Sequence, residues 1–177
     1  MTATPVVSPE QRLRELGLQL PAAAAAHDQP WAVVGHTFMT TGQTPRLEGE
    51  LKYTGRIGRD LTAEQGYAAC RLAALNGIAQ MRQALGGFDR LKQIHRLECV
   101  LNVAPGFGEQ QQVLDGASDL LTAVFGERGR HTRMISTNPV MPFDSACLIS
   151  IYADVTPPTV PSETVGQTYL DWIDSYD

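Results

Sequence analysis

The sequence predicts one α/β (α+β) domain, a single sheet with two helices packed on one face. Three observations predict it. Two stretches, Leu61 to Gly87 and about Glu109 to Gly126, repeat apolar residues at helical spacing and stop at glycine. Around them, runs such as Leu97, Cys99, Leu101 and Val103 alternate with Glu98, Val100 and Asn102, the period-two pattern of a strand with one buried face. A chain of 177 residues, 43% hydrophobic and 19% charged, has room for one such core but not for two ordinary ones.

Taken in order, Ser8 is placed to cap and Pro9 to open a short amphipathic helix that closes near Gly17. Pro21 to Gln29, with its run of alanines, reads as a connector, with helix as the alternative. Trp31–Gly35 and Thr37–Thr41 read as two strands of a hairpin turning at Gly35-His36. Gly42 and Pro45 mark a loop, and Glu50–Ile57 reads as a third strand closed by Gly58. Thr62 caps the first long helix, Glu64 supports its first turn, and Ala68, Leu72, Leu75 and Ala79 form its apolar stripe. The strand at Leu97–Val103 ends at Pro105-Gly106, and Val113, Ala117, Leu120, Leu121 and Val124 make the stripe of the second long helix. Arg133–Val140 and Ala146–Val155 read as two final strands joined by the turn Met141–Asp144.

The organisation expected is therefore an N-terminal helix and connector (1–29), a domain (30–155) and a C-terminal tail (156–177). The tail opens TPPTVP, which excludes an interior strand, and ends YLDWIDSYD. It is either a flexible tail or a short hook that docks on a neighbouring subunit. A sheet covered by helices on one side only leaves its second face to be buried, and oligomerisation is the economical way to do it.

Composition excludes several function classes. A net charge of -5 and a pI near 5.3 give no basic stripe, which argues against a nucleic-acid partner. Cys70, Cys99 and Cys147 sit in apolar runs without CxxC spacing, as buried free thiols in a reducing cytoplasm would. No apolar run approaches the roughly 18 residues of a membrane helix, and the N-terminus lacks a secretory pattern, so a cytoplasmic protein is expected. His27, His36, His95 and His131 are scattered, and no phosphate-binding glycine loop or GxSxG elbow occurs, so neither a metal nor another cofactor is expected.

The segments TTGQTP (40–45), GFGEQQQVLDGASDLL (106–121) and FGERGRHTR (125–133), with the spacing from Arg133 to Pro142, resemble the RidA (YjgF-like) family, and most closely a longer-chain branch of it. The likeness covers about residues 30–155. It implies a chorismate-mutase-like fold, one mixed sheet with two helices on one face, and a homotrimer with a central barrel and ligand sites in the clefts between subunits. It also implies a hydrolase, an enamine/imine deaminase that converts compounds such as 2-aminoacrylate to the keto acid and ammonia. The family's key arginine falls on Arg133, and its SGQ turn falls on Thr41 and Gly42. Asp115 stands where the family commonly has asparagine, and Leu148 where active deaminases carry glutamate; neither Ile149 nor Ser150 restores a carboxylate.

The chemistry of these side chains points the same way. A planar guanidinium grips a carboxylate through two parallel charge-assisted hydrogen bonds and stays charged at any working pH. Arg133 suits a 2-imino acid on that ground; the alternative is a strand-end arginine in a salt bridge. Imine hydrolysis also needs a group that positions water and moves a proton, a contribution of about 10² to 10⁴ in rate. Asp115, Glu98, His131 and Asp144 are the candidates to replace the glutamate. His131 is the best placed, because two residues apart on a strand it shares a face with Arg133. Asp115 either pairs with Arg133 or repels an anionic ligand. Catalytic roles thus fall on Arg133, His131 and Asp115, and substrate binding on Thr41, Gly42 and Arg133. Three readings stay open: the deaminase, a non-catalytic trimer that binds small carboxylate-bearing molecules, and a divergent biosynthetic enzyme performing a cyclisation or hydrolysis.

Overall fold

The structure, a computed structural model, describes residues 7–23 and 29–157. The tail beyond residue 157 and the alanines of the connector from 24 onward lie outside the described residues, so the alternatives for them stand as stated.

Helix α1 (Pro9–Glu15) begins as expected: Ser8 Oγ accepts the Gln11 N–H at 3.2 Å, Pro9 occupies the first turn, and Leu13 is buried. Strands β1 (Trp31–Val34) and β2 (Thr37–Thr40) form a hairpin, with Val34 opposite Thr37 across the Gly35-His36 turn. The third expected strand is replaced. Arg46–Leu47 (β3) and Glu50–Leu51 (β4) make a separate two-stranded ribbon, turned by Glu48 (φ 53) and Gly49 (φ 82). From Lys52 to Ile57 the chain runs as a loop, because Gly55 (φ 100) and Gly58 (φ 88) break the extended backbone. Its peptide groups are satisfied by other loops and strand ends: Gly55 N–H donates to Asp144 O at 2.8 Å and Ile57 N–H to Asn102 O at 2.8 Å.

Helix α2 (Ala63–Leu85) starts on a capping box in which Thr62 Oγ1 takes the Gln65 N–H and the Gln65 side chain takes the Thr62 N–H. It stops at Gly86 in the left-handed region (φ 71). Strand β5 (Leu91–Leu101) begins well before Leu97, helix α3 covers Gln110–Phe125, and β6 covers Thr132–Thr137. β6 is shorter than expected: Asn138 N–H still donates to Leu101 O, but Pro139 has no N–H with which to continue the ladder. After a tight turn at Pro142–Asp144, β7 (Cys147–Val155) completes the domain.

The sheet order is β1-β2-β7-β5-β6, with β5 and β6 parallel and the other pairs antiparallel, so the sheet is mixed. The connection between the parallel strands passes through α3. Along β7, Cys147, Ile149, Ile151, Ala153 and Val155 are fully buried while the residues between them are only half-buried, so the helices cover one face. The uncovered face carries Leu148, Ser150, Tyr152, Glu98, Val100 and Met134. Inside the core Cys70 of α2 meets Cys99 of β5 and Cys147 of β7; all three are free thiols. Among the described residues no helix is long and apolar enough to cross a membrane.

Candidate ligand site

Among the described residues β6 is an edge strand paired only with β5, so its side chains toward the helices look into a groove beneath α3. Arg133 is in register with Leu97, whose side chain is buried under the helices, and therefore projects on the helix side. There α3 presents Gln111, Asp115 and Ser118, which the helical repeat stacks along one face while Val113, Ala117, Leu120 and Leu121 enter the core. Arg133 Nη1 donates to Asp115 Oδ1 at 2.5 Å and Nη2 to Gln111 Oε1 at 2.8 Å. The two side chains of the ion pair stay 30% and 45% exposed, so the pair contributes little to stability, on the order of 0–1 kcal/mol. Of the two alternatives for Asp115, pairing with Arg133 is the one the geometry adopts.

One turn along the groove, His131 lies 2.6 Å (Nδ1) from the Gly129 carbonyl and 3.0 Å (Nε2) from Ser118 Oγ. A carbonyl only accepts, so Nδ1 carries the proton and Nε2 accepts from the Ser118 hydroxyl. Burial pushes the His131 pKa down, the Gly129 carbonyl opposes this, and the Arg133 charge adds to the lowering. The ring is therefore neutral at pH 7. In the unfolded chain it titrates near its ordinary value of 6.5, so below that pH the unfolded state binds more protons and stability falls as pH drops. Urea midpoints measured at pH 7.5 and pH 5.5 should separate less in His131→Gln than in the parent protein; an unchanged separation would show that the ring is not buried enough to matter.

His131 and Arg133 thus share a face, as strand spacing predicts, and α3 supplies their partners. Thr41 and Gly42 are not brought to them within a protomer. Thr41 Oγ1 donates to Pro30 O at 3.2 Å and accepts from Gln43 Nε2 at 3.2 Å. Gly42 lies against Leu148, whose Cδ2 would stand 3.3 Å from a Cβ placed there. Leu148 pairs with Val100 on the face turned away from the helices, so this contact and Arg133 occupy opposite sides of the sheet. Glu98 also lies on that uncovered face, bound to Arg96 at 2.7 Å and to the Tyr152 hydroxyl at 3.2 Å. Asp144 is held in the turn, accepting from Asn102 Nδ2 at 2.9 Å. Neither acid reaches the groove. Gln111 and Ser118 are the site residues missed from the sequence; their spacing from Asp115, opposite the Val113 stripe, was the available signal.

With the mixed sheet, the α3 crossover and the Arg133 groove established, comparison with known proteins decides the family. The family model described as "YjgF/chorismate mutase-like, putative endoribonuclease" matches residues 10–155. The chain belongs to the YjgF family. Protein TCP17 of Trypanosoma cruzi is 41% identical over 137 residues, which cover 76% of this chain and 86% of that one. A crystal structure from Shewanella oneidensis, also described as a putative endoribonuclease, is 55% identical with a TM-score of 0.80 over 84% of this YjgF member and 99% of the other chain. Atu1372 of Agrobacterium tumefaciens, of unknown function, is 34% identical with a TM-score of 0.78, covering 83% and 92%. The YjgF gene product of E. coli, at 17% identity and a TM-score of 0.50 over 85% and 98%, shares the fold.

Proposed function

We propose that this YjgF protein binds the carboxylate of a small 2-imino or enamine acid at Arg133 and hydrolyses it to the keto acid and ammonia. The observation that supports this best is the partly exposed guanidinium of Arg133 on an edge strand, aimed by Asp115 and Gln111 on α3, with a neutral imidazole two residues away. Water adds to the C=N carbon, the nitrogen takes a proton, and the C–N bond of the resulting carbinolamine breaks to release ammonia as the carbonyl forms. His131 Nε2, released from Ser118, is the group that accepts the proton of the attacking water. Gln111 steadies the guanidinium. A ligand carboxylate takes the place Asp115 holds on the fork.

The working form in this proposal is a homotrimer. A second copy would cover the face bearing Leu148 and Val100 and bring a Thr41–Gly42 turn to a neighbour's Arg133. Light scattering should then give about three times 19.3 kDa.

One observation favours a second reading, a trimer that binds carboxylates without turnover. Leu148 occupies the place of the family glutamate, and among the described residues Asp115 is the one carboxylate that meets Arg133. The deciding assay generates 2-imino acids with an amino-acid oxidase and follows their disappearance by semicarbazide trapping. Faster loss with the protein, absent with Arg133→Ala, is the expected result. No acceleration from a folded trimer would move the assignment to the binding protein.

A further inference from the structure

Four residues beyond Arg133, where β6 ends at Thr137, lies a cavity of about 310 Å³. At the rise of an extended strand, Thr137 on its lining lies about 13 Å along β6 from Arg133. Val103, Pro105, Phe107 and Pro139 give it an apolar wall, Gln110, Thr137 and Asn138 add polar groups, and among the described residues the one charged group lining it is Arg56. Arg56 is half-buried and fixed at both ends: its backbone N–H donates to Asp60 Oδ2 at 2.9 Å, and Nη2 donates to Pro139 O at 3.2 Å. A guanidinium has five N–H donors, so most of its capacity is unspent. Asp60 feels the Arg56 charge but does not pair with its guanidinium: its carboxylate oxygens bind the Arg59 guanidinium at 2.9 and 2.7 Å. Among the described residues no carboxylate stands within 4 Å of the Arg56 guanidinium. Also on the lining, next to Pro139, Asn138 uses Oδ1 to accept the Val140 N–H at 3.1 Å, which leaves its amide NH₂ to donate.

We infer that this cavity is a second binding site, selective for a small carboxylate on an apolar body, with Arg56 and Asn138 gripping the anion and Phe107 and the prolines enclosing the rest. It contrasts with the Arg133 groove, where both ends of the guanidinium fork are already occupied by Asp115 and Gln111. A half-buried guanidinium that pairs with no carboxylate of the described residues, beside a concave apolar wall, is the combination that orients a small anionic ligand. Bare phosphate would satisfy the charge but leave the apolar walls unfilled.

The test is calorimetric titration of the full-length protein with benzoate, benzamide and inorganic phosphate. Benzoate should bind saturably to the parent protein and equally well to Arg133→Ala. Binding should weaken about tenfold or more in Arg56→Gln, the usual loss for a charge-assisted hydrogen bond. Benzamide, of the same shape without the charge, should bind as poorly to the parent protein. Asn138→Ala, on an exposed loop that tolerates truncation, should weaken benzoate measurably and guards against a folding defect in Arg56→Gln. Absence of saturable benzoate binding overturns the site, as does unchanged binding in both Arg56→Gln and Asn138→Ala. Loss of benzoate binding in Arg133→Ala with retention in Arg56→Gln would return the carboxylate to the groove and overturn the second site alone. Phosphate that binds as tightly as benzoate overturns the carboxylate class.

Discussion

Replacing Gly116 by alanine should lower the melting temperature by about 6–12 °C, from a destabilisation of about 3 kcal/mol in a chain of this length. A Cβ built on Gly116 lies 2.1 Å from the Tyr67 carbonyl oxygen and 2.8 Å from its carbon. These are backbone atoms of α2, which cannot rotate away as a side chain would, so α2 and α3 must separate. The core beside this crossing holds Ala69, Cys70 and Ala73 of α2 and Val113, Ala117 and Leu120 of α3, all essentially excluded from solvent. Widening that crossing opens voids throughout the layer. The gain of about 1 kcal/mol from alanine's better helix propensity offsets only part of the loss. Gly108→Ala is the control, since nothing lies within 4 Å of its added Cβ and its backbone is not in the left-handed region. Differential scanning calorimetry of the two variants decides it: equal melting temperatures would show that the helices cross less closely than described. Asp115 precedes Gly116, so the same displacement should also loosen the contact between Asp115 and Arg133.

Elements whose order is local were legible in the sequence. α2 is framed by Thr62 with Gln65 at one end and Gly86 at the other, signals contained within a few residues of each boundary. β5 was legible only in its second half. Register shifts between Leu91 and Gln93 and between Ile94 and Arg96 break the alternation there, so Lys92 to Arg96 reads as a polar stretch although Leu91 and Ile94 are core residues. Glu50–Ile57 misled in the opposite direction. Its β-prone residues suggested a strand, but Gly55 takes a left-handed conformation, and beyond β4 the partners of the segment include carbonyls far away in the chain, those of Asp144 and Asn102. In the site, the shared face of His131 and Arg133 followed from strand spacing alone. That Gln111 and Ser118 complete it depends on α3 returning across the edge of β6, a long-range packing fact that no local pattern contains.

Arg133 and Asp115 should respond to substitution in opposite directions. Arg133→Ala removes the cation that the proposed ligand carboxylate would bind, and losing one partner of a charge pair that the bound ligand shields from water costs about 2–5 kcal/mol, or about 30-fold to several thousand-fold in Kd. Asp115→Asn keeps the shape and the hydrogen-bond acceptor but removes the negative charge that now occupies the fork. A ligand carboxylate arriving at Arg133 meets Asp115 within a few ångströms, where two like charges near a protein surface repel by about 1–4 kcal/mol. The Asp115→Asn variant should therefore bind a keto acid such as 2-oxobutanoate about tenfold more tightly, measured by calorimetry at pH 7.5. Because one group acts through the other, the effects should not add, and the double variant should bind nearly as weakly as Arg133→Ala. Weaker binding in Asp115→Asn would reverse the argument: the carboxylate would then be what holds the guanidinium in its binding orientation, and the ion pair would belong to the site rather than compete with its ligand.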